Sequence, residues 1–579
     1  MATIQSRVSR GQKYWYIVES RRVNGKPRPV MLAYLGKADN LLKRLKGLTN
    51  TIKLKSYSHG SVAALLKIAY ELDVCTIINK HIKSSRRYVS KKPIRNNLTA
   101  GVTYLLAAIG RVCMPTSKRG WWTWAKTTSL EYLLRCNFNK INSQHFWDLM
   151  DALPIDKIEK IEEELLKNIF KVYKLESDSL FFDTTNFFTY IHTTNEHCGI
   201  AQRGKNKQKR HDLRQVGLAM VVTKKDMIPL FHLTYRGNKH DSKIFNEIVT
   251  RIKTRMETLQ LNIEEHTLIF DRGNNSKVNL ELINKNQLHY VGALTPYHHK
   301  DLVDDATNNF QELNIDDNKM QVYRDKRMIW GEERTVVVCI SKQLKAGQIR
   351  GIYQSLRKIE NELLELQKRL SNPKAKKQEK EGLEKKVTQL TKGHHFINGF
   401  IKWEIKEVGD KKFQLLFSID DSKLNEIENR LGFRILMTDR HDWSIVEIIK
   451  AYQGQARIEY AFKNLKNPYH LAIKPQFHWT DQKIIVHYFI CVLGYLLSAL
   501  IYREIRLKCQ FRGSLSNLFS ILDNIRLATL LEEVKTSGKL KAIYKLEEMD
   551  KQEQKFLDAL AIDNFHTTRP KFSNVGVYT

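Results

Sequence analysis

The hydrophobic pattern of the chain changes near residue 179. Between residues 60 and 170, apolar residues recur with the three-to-four-residue period of amphipathic helices. From residue 179 they form short runs and alternations typical of strands, and predicted strands then alternate with helices up to residue 299. Consecutive strands followed by alternating helices and strands predict a mixed α/β sheet rather than a barrel or a bundle.

Two other stretches carry distinct patterns. At the N-terminus, Asn24-Gly25-Lys26 separates two strand-like runs and predicts a β-hairpin. Between residues 300 and 435, predicted strand pairs surround a coiled-coil-like stripe that runs from Ile352 to Leu390 and breaks at Ser371-Asn372-Pro373. The stripe predicts a helical hairpin that closes on itself, and packing against a second subunit is the alternative.

The charge of the chain narrows the class of partner. It carries 96 Lys and Arg against 62 Asp and Glu, a net charge of +34 with a pI of about 9.7. An excess of this size points to a polyanion, either nucleic acid or an acidic membrane surface, although a basic protein without such a partner is the simpler alternative.

One apolar stretch, residues 484–502, contains no Asp, Glu, Lys or Arg and resembles a membrane span. We predict a buried core helix instead, because a single span would leave the basic remainder of the chain unexplained. The seven cysteines form no Cys-x-x-Cys pair, which argues against a zinc ribbon and favours a reducing compartment. The polar, basic first 15 residues predict no secretory signal.

Three acids stand in unusual surroundings. Asp183 follows Leu-Phe-Phe and Asp271 follows Leu-Ile-Phe, each within a predicted strand. A carboxylate there is costly unless it is paired, hydrogen-bonded or bound to a cation, although a turn-capping Asp is the ordinary alternative. The third acid, Glu459, lies in "ARIEYAFKNLK" among apolar and basic residues. Two strand carboxylates and one helix carboxylate suit a site for two Mg²⁺ ions acting on a phosphodiester.

The surroundings of Glu459 predict contacts with a DNA backbone. On one continuous helix, residues at −7, −4, +4 and +7 from Glu459 share its face. These are Tyr452, Gln455, Lys463 and Lys466. A solvated stripe with a Glu–Lys pair is the alternative. A second basic element, "RGKNKQKRHDLR" at residues 203–214, is predicted to be a loop that contacts phosphates through Lys205, Lys207, Lys209 and Arg210.

These motifs resemble those of the DDE transposases of bacterial insertion sequences, in the branch with an insertion domain before the catalytic Glu (the IS-four-like superfamily). Tyr452, Glu459 and Lys466 match its Tyr-x2-Arg-x3-Glu-x6-Lys signature, and Gln455 stands where the family has Arg. "FFDTTN", "FDRGN", "TYRGNKHDSKIF" and the N-terminal "YWYIVESRR" resemble further family motifs. The likeness runs from about residue 10 to about residue 510.

The resemblance implies an RNase H-like fold and metal-dependent DNA strand cleavage and strand transfer at terminal inverted repeats. Asp183, Asp271 and Glu459 are then the metal ligands for two Mg²⁺ ions, with Mn²⁺ as a substitute. The implied DNA contacts come from Tyr452, Gln455, Lys463, Lys466 and Arg272, and Lys463 is the expected replacement for the missing arginine. The implied partners are transposon ends, target DNA and a second copy of the chain in a homodimer, without a membrane, in the bacterial cytoplasm near the nucleoid.

The predicted fold class is α/β, an RNase H-like mixed-sheet core interrupted by a β-rich insertion with a helical hairpin. The predicted segments are an N-terminal β-rich module (1–55), a helical region that binds DNA ends (56–175), the first part of the core (176–299), the insertion (300–435) with its hairpin (350–392), the second part of the core with Glu459 (436–510), and a helical C-terminal region (511–579). Two alternatives stay open: a related nuclease that cuts without joining, and a domesticated protein that only binds DNA.

Overall fold

A computed structural model describes most of the chain. The described residues are 2–9, 12–23, 26–39, 53–83, 88–89, 92–93, 98–139, 141–175, 177–206, 208–239, 241–316, 318–372, 379–392, 399–409, 412–428, 430–474, 476–533 and 540–572. The chain forms two compact units, which we call the terminal unit (Met1–Lys174 with Lys463–Thr579) and the central unit (Leu175–Phe462).

The terminal unit begins with strands and continues with helices. In chain order these are β1 (Ala2–Ser9), β2 (Gln12–Val23), β3 (Lys26–Lys37), β4 (Lys53–Ser58), α1 (Gly60–Glu71), α2 (Val74–Lys80), β5 (Tyr88–Val89), β6 (Lys92–Pro93), α3 (Ala100–Cys113), α4 (Trp121–Ala125), α5 (Leu130–Leu134), α6 (Ser143–Ala152) and α7 (Ile158–Tyr173). Strands β2 and β3 pair antiparallel with Val23 opposite Lys26, as the turn signal predicts, and Asn24 and Gly25 lie outside the described residues.

The central unit alternates strands and helices around one large sheet. Its elements are β7 (Ser179–Thr189), β8 (Arg214–Thr223), β9 (Pro229–Arg236), α8 (Asp241–Thr258), β10 (Thr267–Phe270), α9 (Lys277–Lys285), β11 (His289–Leu294), α10 (Lys300–Asn308), β12 (Gln311–Ile315), β13 (Asn318–Ile329), β14 (Glu332–Ile340), α11 (Lys342–Leu370), α12 (Lys380–Thr391), β15 (Ile401–Gly409), β16 (Lys412–Ile419), α13 (Asp421–Glu428), β17 (Phe433–Thr438), α14 (Ile445–Gln453) and α15 (Ala456–Lys466). Helix α15 crosses into the terminal unit at residue 463.

The large sheet has nine strands in the order β12-β13-β14-β17-β11-β10-β7-β8-β9. Strands β7, β8 and β9 are antiparallel neighbours, whereas β10 and β11 run parallel to β7. The protein therefore has the mixed α/β sheet that the pattern predicts. Three antiparallel strands continued by two strands parallel to the first are compatible with an RNase H-like core.

The predicted insertion, residues 300–435, falls into two structural parts. Strands β12, β13 and β14 extend the large sheet because β14 pairs with β17. The remainder, α11 to α13 with the β15–β16 hairpin, packs around its own core. That core contains Ile352, Leu356, Ile359, Leu363, Leu366, Leu383, Val387, Phe400, Ile401, Ile405, Phe413, Leu415 and Leu431. The coiled-coil stripe is therefore covered within the same chain, and the Ser341 amide donates to the Gly432 carbonyl at 2.9 Å where this part leaves the sheet.

The chain returns to the terminal unit with six further elements. They are α16 (Asp481–Cys509), α17 (Leu515–Asn524), β18 (Arg526–Glu533), β19 (Leu540–Leu546), α18 (Lys551–Ala559) and α19 (Phe565–Thr568). The prediction of a helical C-terminal region is wrong for β18 and β19. These strands form a three-stranded sheet with β4. A local pattern does not reveal this pairing, because Arg526 of β18 lies opposite Ser58, near the other end of the chain.

Helix α16 contains the apolar stretch that resembles a membrane span. Of the described residues, it is the one helix long and apolar enough to cross a membrane, and 94% of its most apolar window is buried inside the protein. It packs against α1, α3 and α6. The stretch is therefore buried inside the protein, as the prediction of a core helix expects.

Candidate active site

The two strand acids lie side by side at neighbouring strands of the central sheet. Strands β7 and β10 run parallel, and Phe182 stands opposite Phe270. Asp183 and Asp271 are the next residue on each strand, so their backbones are about one strand spacing, roughly 4.8 Å, apart. Sequence reasoning predicted that these acids belong to one site, and the register brings the two strand positions together.

Side-chain alternation puts both acids on the same face of the sheet. The rings of Phe182 and Phe270 contact Phe245 of α8, with centroids 5.5 and 4.9 Å away. Because successive side chains of extended backbone point to opposite faces, Asp183 and Asp271 point away from α8. The backbone of Asp271 is still extended, with φ −71° and ψ 155°. Both carboxylates therefore belong to the face opposite α8.

Helices α14 and α15 meet the sheet on that face. Gly454, between the two helices, packs so closely on Phe181 that a Cβ there would lie 2.4 Å from the ring. Phe181 and Asp183 are two residues apart on β7 and share a face. Only glycine fits this approach. The contact fixes the start of α15, which carries Glu459, over the face of the two aspartates.

The two aspartates have the same local geometry. The Thr184 amide donates to Asp183 Oδ1 at 2.7 Å, and the Arg272 amide donates to Asp271 Oδ1 at 2.7 Å. Asp183 is half-buried and Asp271 is exposed, and Glu459 is also exposed. A hydrogen bond from the amide of the next residue therefore fixes each carboxylate, and both carboxylates remain accessible to solvent.

The prediction of one continuous helix from Tyr452 to Lys466 is wrong. Helix α14 ends at Gln453 and α15 begins at Ala456. In between, the amides of Gln455, Arg457 and Ile458 donate to carbonyls three residues earlier, not four. This tightening rotates the following residues relative to an uninterrupted α-helix. The interruption falls at Gly454, where the backbone lies close to Phe181, so Tyr452 and Glu459 belong to two different helices.

Tyr452 nevertheless links the acids electrostatically. Its pKa is raised to about 12, first by burial and then by the negative charges of Asp271 and Glu459, whereas Arg434 and Arg272 act in the opposite direction. These four charges therefore lie within electrostatic range of one phenol. The tyrosine stays protonated near neutral pH and is able to donate a hydrogen bond to an anion.

Sequence reasoning missed Arg434. It occupies the second position of β17, and its Cζ lies 5.5 Å from the centroid of the Tyr452 ring. The available signal was a charged residue inside the apolar run "FRILMT". Such a charge inside an apolar strand needs a partner or a ligand for the same physical reason as Asp183 and Asp271 do.

The other residues that were predicted to contact DNA do not form one group around the aspartates. Arg272 is exposed next to Asp271, and Gln455 is 9% exposed between the two helices. Lys463 and Lys466 are exposed on the half of α15 that belongs to the terminal unit. Their role in DNA binding stays a prediction, because both lysines belong to the terminal unit and the two aspartates belong to the central unit.

The predicted basic loop connects β7 to β8 and is folded by its own polar groups. The Asn206 side chain accepts from the Arg210 amide at 2.9 Å, and the Arg210 guanidinium is paired with Asp212. Lys205 and Lys209 are exposed, and Lys207 lies outside the described residues. The strand continues six residues from Asp183 to Thr189 before this connection, about 20 Å at 3.3 Å per residue. The loop therefore lies at the far end of β7 and is not part of the carboxylate site. Its contact with DNA stays a prediction.

The donor set fits a hard divalent cation in part. Within the described ranges, no three His, Cys, Asp or Glu side chains lie close enough together to hold one ion. Asp183 and Asp271 still supply carboxylate oxygens from neighbouring strands. Magnesium usually takes one or two protein carboxylates and completes its shell with water and substrate phosphate. The aspartate pair meets that requirement, and ligation by Glu459 stays a prediction.

Comparison with known proteins adds little to this picture. No protein-family model matches the chain, and no curated protein matches it. Among solved structures, the piggyBac transposase in a synaptic complex with hairpin DNA is similar over 79% of each chain, at 8% sequence identity and a TM-score of 0.37. Similarity at this level does not establish a shared fold, so the proposals below rest on the site and the charge alone.

Proposed function

We propose that the protein is a DNA transposase that cleaves and joins DNA strands with divalent metal at the ends of a mobile element. The observation that carries the proposal is the pair Asp183 and Asp271 at adjacent strand positions, on the face where α15 brings Glu459. The net charge of +34 supports a nucleic-acid substrate. A homodimer that holds two DNA ends is part of the proposal.

The residues have separable roles in this proposal. Asp183 and Asp271 would hold Mg²⁺, and Glu459 would complete the site when DNA is bound. The ions would generate a nucleophile from water or a hydroxyl group and neutralise charge on the leaving oxygen. Arg272 and Tyr452 lie beside Asp271 and would orient the phosphodiester through hydrogen bonds. The aspartates stay fixed by the amides of the next residues, so the donor oxygens are already in place.

Loss of a single carboxylate tests the proposal. Asp183→Ala, Asp271→Ala and Glu459→Ala are each expected to reduce cleavage by more than about 1,000-fold, in the range seen when a catalytic electrostatic group is removed. DNA binding is expected to remain, because the basic residues are unchanged. The measurement is Mg²⁺-dependent cleavage of a labelled duplex carrying the DNA that flanks the gene, beside a gel-shift titration.

Asp442→Ala is the matched control, because Asp442 is an exposed acid of the central unit and its loss changes the net charge equally. Wild-type cleavage by any of the three variants removes that residue from the site. Product analysis for joined strands separates a transposase from a nuclease that only cuts.

A DNA-binding protein without catalysis is the second candidate. It is favoured by one observation: the described residues contain no three-ligand group ready for a metal. Under this alternative, the wild-type chain binds the flanking DNA, and Mg²⁺ and Mn²⁺ produce no cleavage. Metal titration of the same labelled duplex therefore decides between the two candidates.

A further inference from the structure

Arg434 is half-buried and lacks a polar partner. Among the described residues, its guanidinium makes neither a hydrogen bond nor an ion pair, and it lies over the ring of Tyr452. Guanidinium groups that lose water normally find acceptors, because an unpaired desolvated charge is costly. Arg369, by comparison, is exposed and pairs with Glu365. Since no described residue accepts a hydrogen bond from the five donors of Arg434, they are able to bind an anion from outside the chain.

The position of Arg434 brings it to the same sheet edge as the aspartates. Leu294, the last residue of β11, stands opposite Ile435, so Arg434 lies one step beyond the end of β11. Strand β11 is the direct neighbour of β10, whose end precedes Asp271. Arg434 is thus two strands away from Asp271 and two residues further along the strand direction, a backbone separation of about 12 Å at the usual strand dimensions.

The arginine also lies on the correct face. Tyr452 belongs to α14, which packs on β10, β11, β14 and β17. The contact between Arg434 and Tyr452 shows that the arginine side chain points to that helix. The charges of Asp271, Glu459 and Arg272 also shift the pKa of Tyr452, so these three residues lie within electrostatic range of its phenol.

We propose that Arg434, together with Arg272, binds a phosphate of the nucleic-acid backbone next to the aspartate pair. A planar guanidinium matches two phosphate oxygens, and stacking on the Tyr452 ring holds its plane. The exposed Arg272 side chain, directly after Asp271, reaches the same backbone from the other strand end. This inference rests on the proposed function, because it takes a DNA strand as the substrate, and it makes Arg434 a positioning residue for that strand.

The first experiment replaces Arg434 and measures cleavage and binding separately. Arg434→Gln is expected to slow cleavage of the flanking-DNA duplex at saturating DNA by roughly 10- to 100-fold, the effect of one charge-assisted hydrogen bond. Arg434→Lys keeps the charge without the planar fork and is expected to recover only part of the rate. The slope of log affinity against log salt, measured without metal, is expected to become shallower by about 0.9.

Arg369→Gln removes the same charge from an exposed site on α11 and is expected to change neither the rate nor the slope. Thermal unfolding of each variant shows whether Arg434→Gln folds. If Arg434→Gln unfolds, the comparison of Arg434→Lys with wild type decides, because the lysine keeps the positive charge.

The second experiment locates the phosphate. Neutral methylphosphonate linkages are placed one at a time at each phosphate around the cleavage position. One linkage is expected to slow the wild type and leave Arg434→Gln at its own rate, since the contact is already lost. If every linkage slows the variant as much as the wild type, Arg434 binds no phosphate and the inference is overturned.

The two proposals fail in different ways. If the wild type cleaves DNA and Arg434→Gln has the same rate and the same salt slope, the inference is overturned and the proposed function is unaffected. Binding without cleavage, together with a shallower slope in Arg434→Gln, overturns the enzyme and keeps the phosphate contact. A wild-type chain that neither binds nor cleaves the flanking DNA overturns both.

Discussion

Like charges gather in two regions of this protein, and the two regions accommodate them differently. In the central unit, Asp183 and Asp271 stand on adjacent strands with solvent access. In the terminal unit, a basic cluster is defined here as Arg111, Lys118, His478 and His487, of which Lys118 is half-buried and the other three are buried. The two carboxylates keep access to solvent, whereas Arg111 and Lys118 of the basic cluster bond to groups of the protein itself.

The basic cluster is satisfied by carbonyls and by loss of protons. Arg111 donates to the carbonyls of Ala472, Lys474 and Thr116. Burial lowers the pKa of Lys118 to about 7, and the nearby Arg111 charge adds to this effect. Its Nζ lies 2.6 Å from His478 Nε2. Members of the basic cluster therefore bond to backbone carbonyls or have lowered pKa values, whereas the two aspartates keep access to solvent.

The largest expected effect tests whether Arg111 is structural. Arg111→Met leaves three carbonyls without a donor, and we expect a loss of about 3–5 kcal/mol in unfolding free energy. The measurement is calorimetric unfolding of the full chain, with Arg119→Met as the control, since Arg119 is exposed in the segment that follows α3. A loss below about 1 kcal/mol, the usual size for surface changes, contradicts the comparison.

A smaller effect tests the neutralisation of Lys118. Its folded pKa of about 7 lies below the ordinary value of 10.5, so the unfolded chain binds more protons between these values. Stability is therefore expected to rise with pH from about 7 to 10, by roughly a few kcal/mol. Lys118→Met is expected to raise the melting temperature at pH 7 and flatten this rise.

Lys171→Met serves as its control, because Lys171 is an exposed lysine of the same unit. The curves of both variants are measured between pH 6 and 10. If the stability of Lys118→Met still rises with pH, groups other than Lys118 cause the pH dependence. Burial lowers the pKa of His478 and His487 as well, so acid below pH 6.5 is expected to destabilise the unit.

The smallest effect concerns the aspartate pair. Asp271→Asn removes one of two neighbouring negative charges, and we expect it to stabilise the metal-free central unit by up to about 1 kcal/mol. Added Mg²⁺ is expected to raise the melting temperature of the wild type and to lose that effect in the variant. Asp442→Asn controls for net charge. Equal Mg²⁺ responses in wild type and Asp271→Asn exclude an ion at this pair.

The sequence by itself determined the type of most local elements. Period and turn signals predicted the strands around Asp183 and Asp271, the helix after residue 240, and the apolar stripe of α11 and α12. These signals are local, because burial of one face repeats every two residues in a strand and every three to four in a helix. The two aspartates were found for the same reason: a charge inside an apolar run is visible without any partner.

Only the tertiary structure decided which positions meet. The pairing of Phe182 with Phe270 brings Asp183 beside Asp271, and the helix that the sequence predicted as continuous is interrupted at Gly454, next to Phe181. The strand pairing of Arg526 with Ser58 joins the two ends of the chain. Arg434 contacts the ring of Tyr452, a residue of another element, and this contact could not be predicted from the sequence of β17. Such contacts depend on register and close approach between distant segments, and the pattern of a single segment contains no information about its partner.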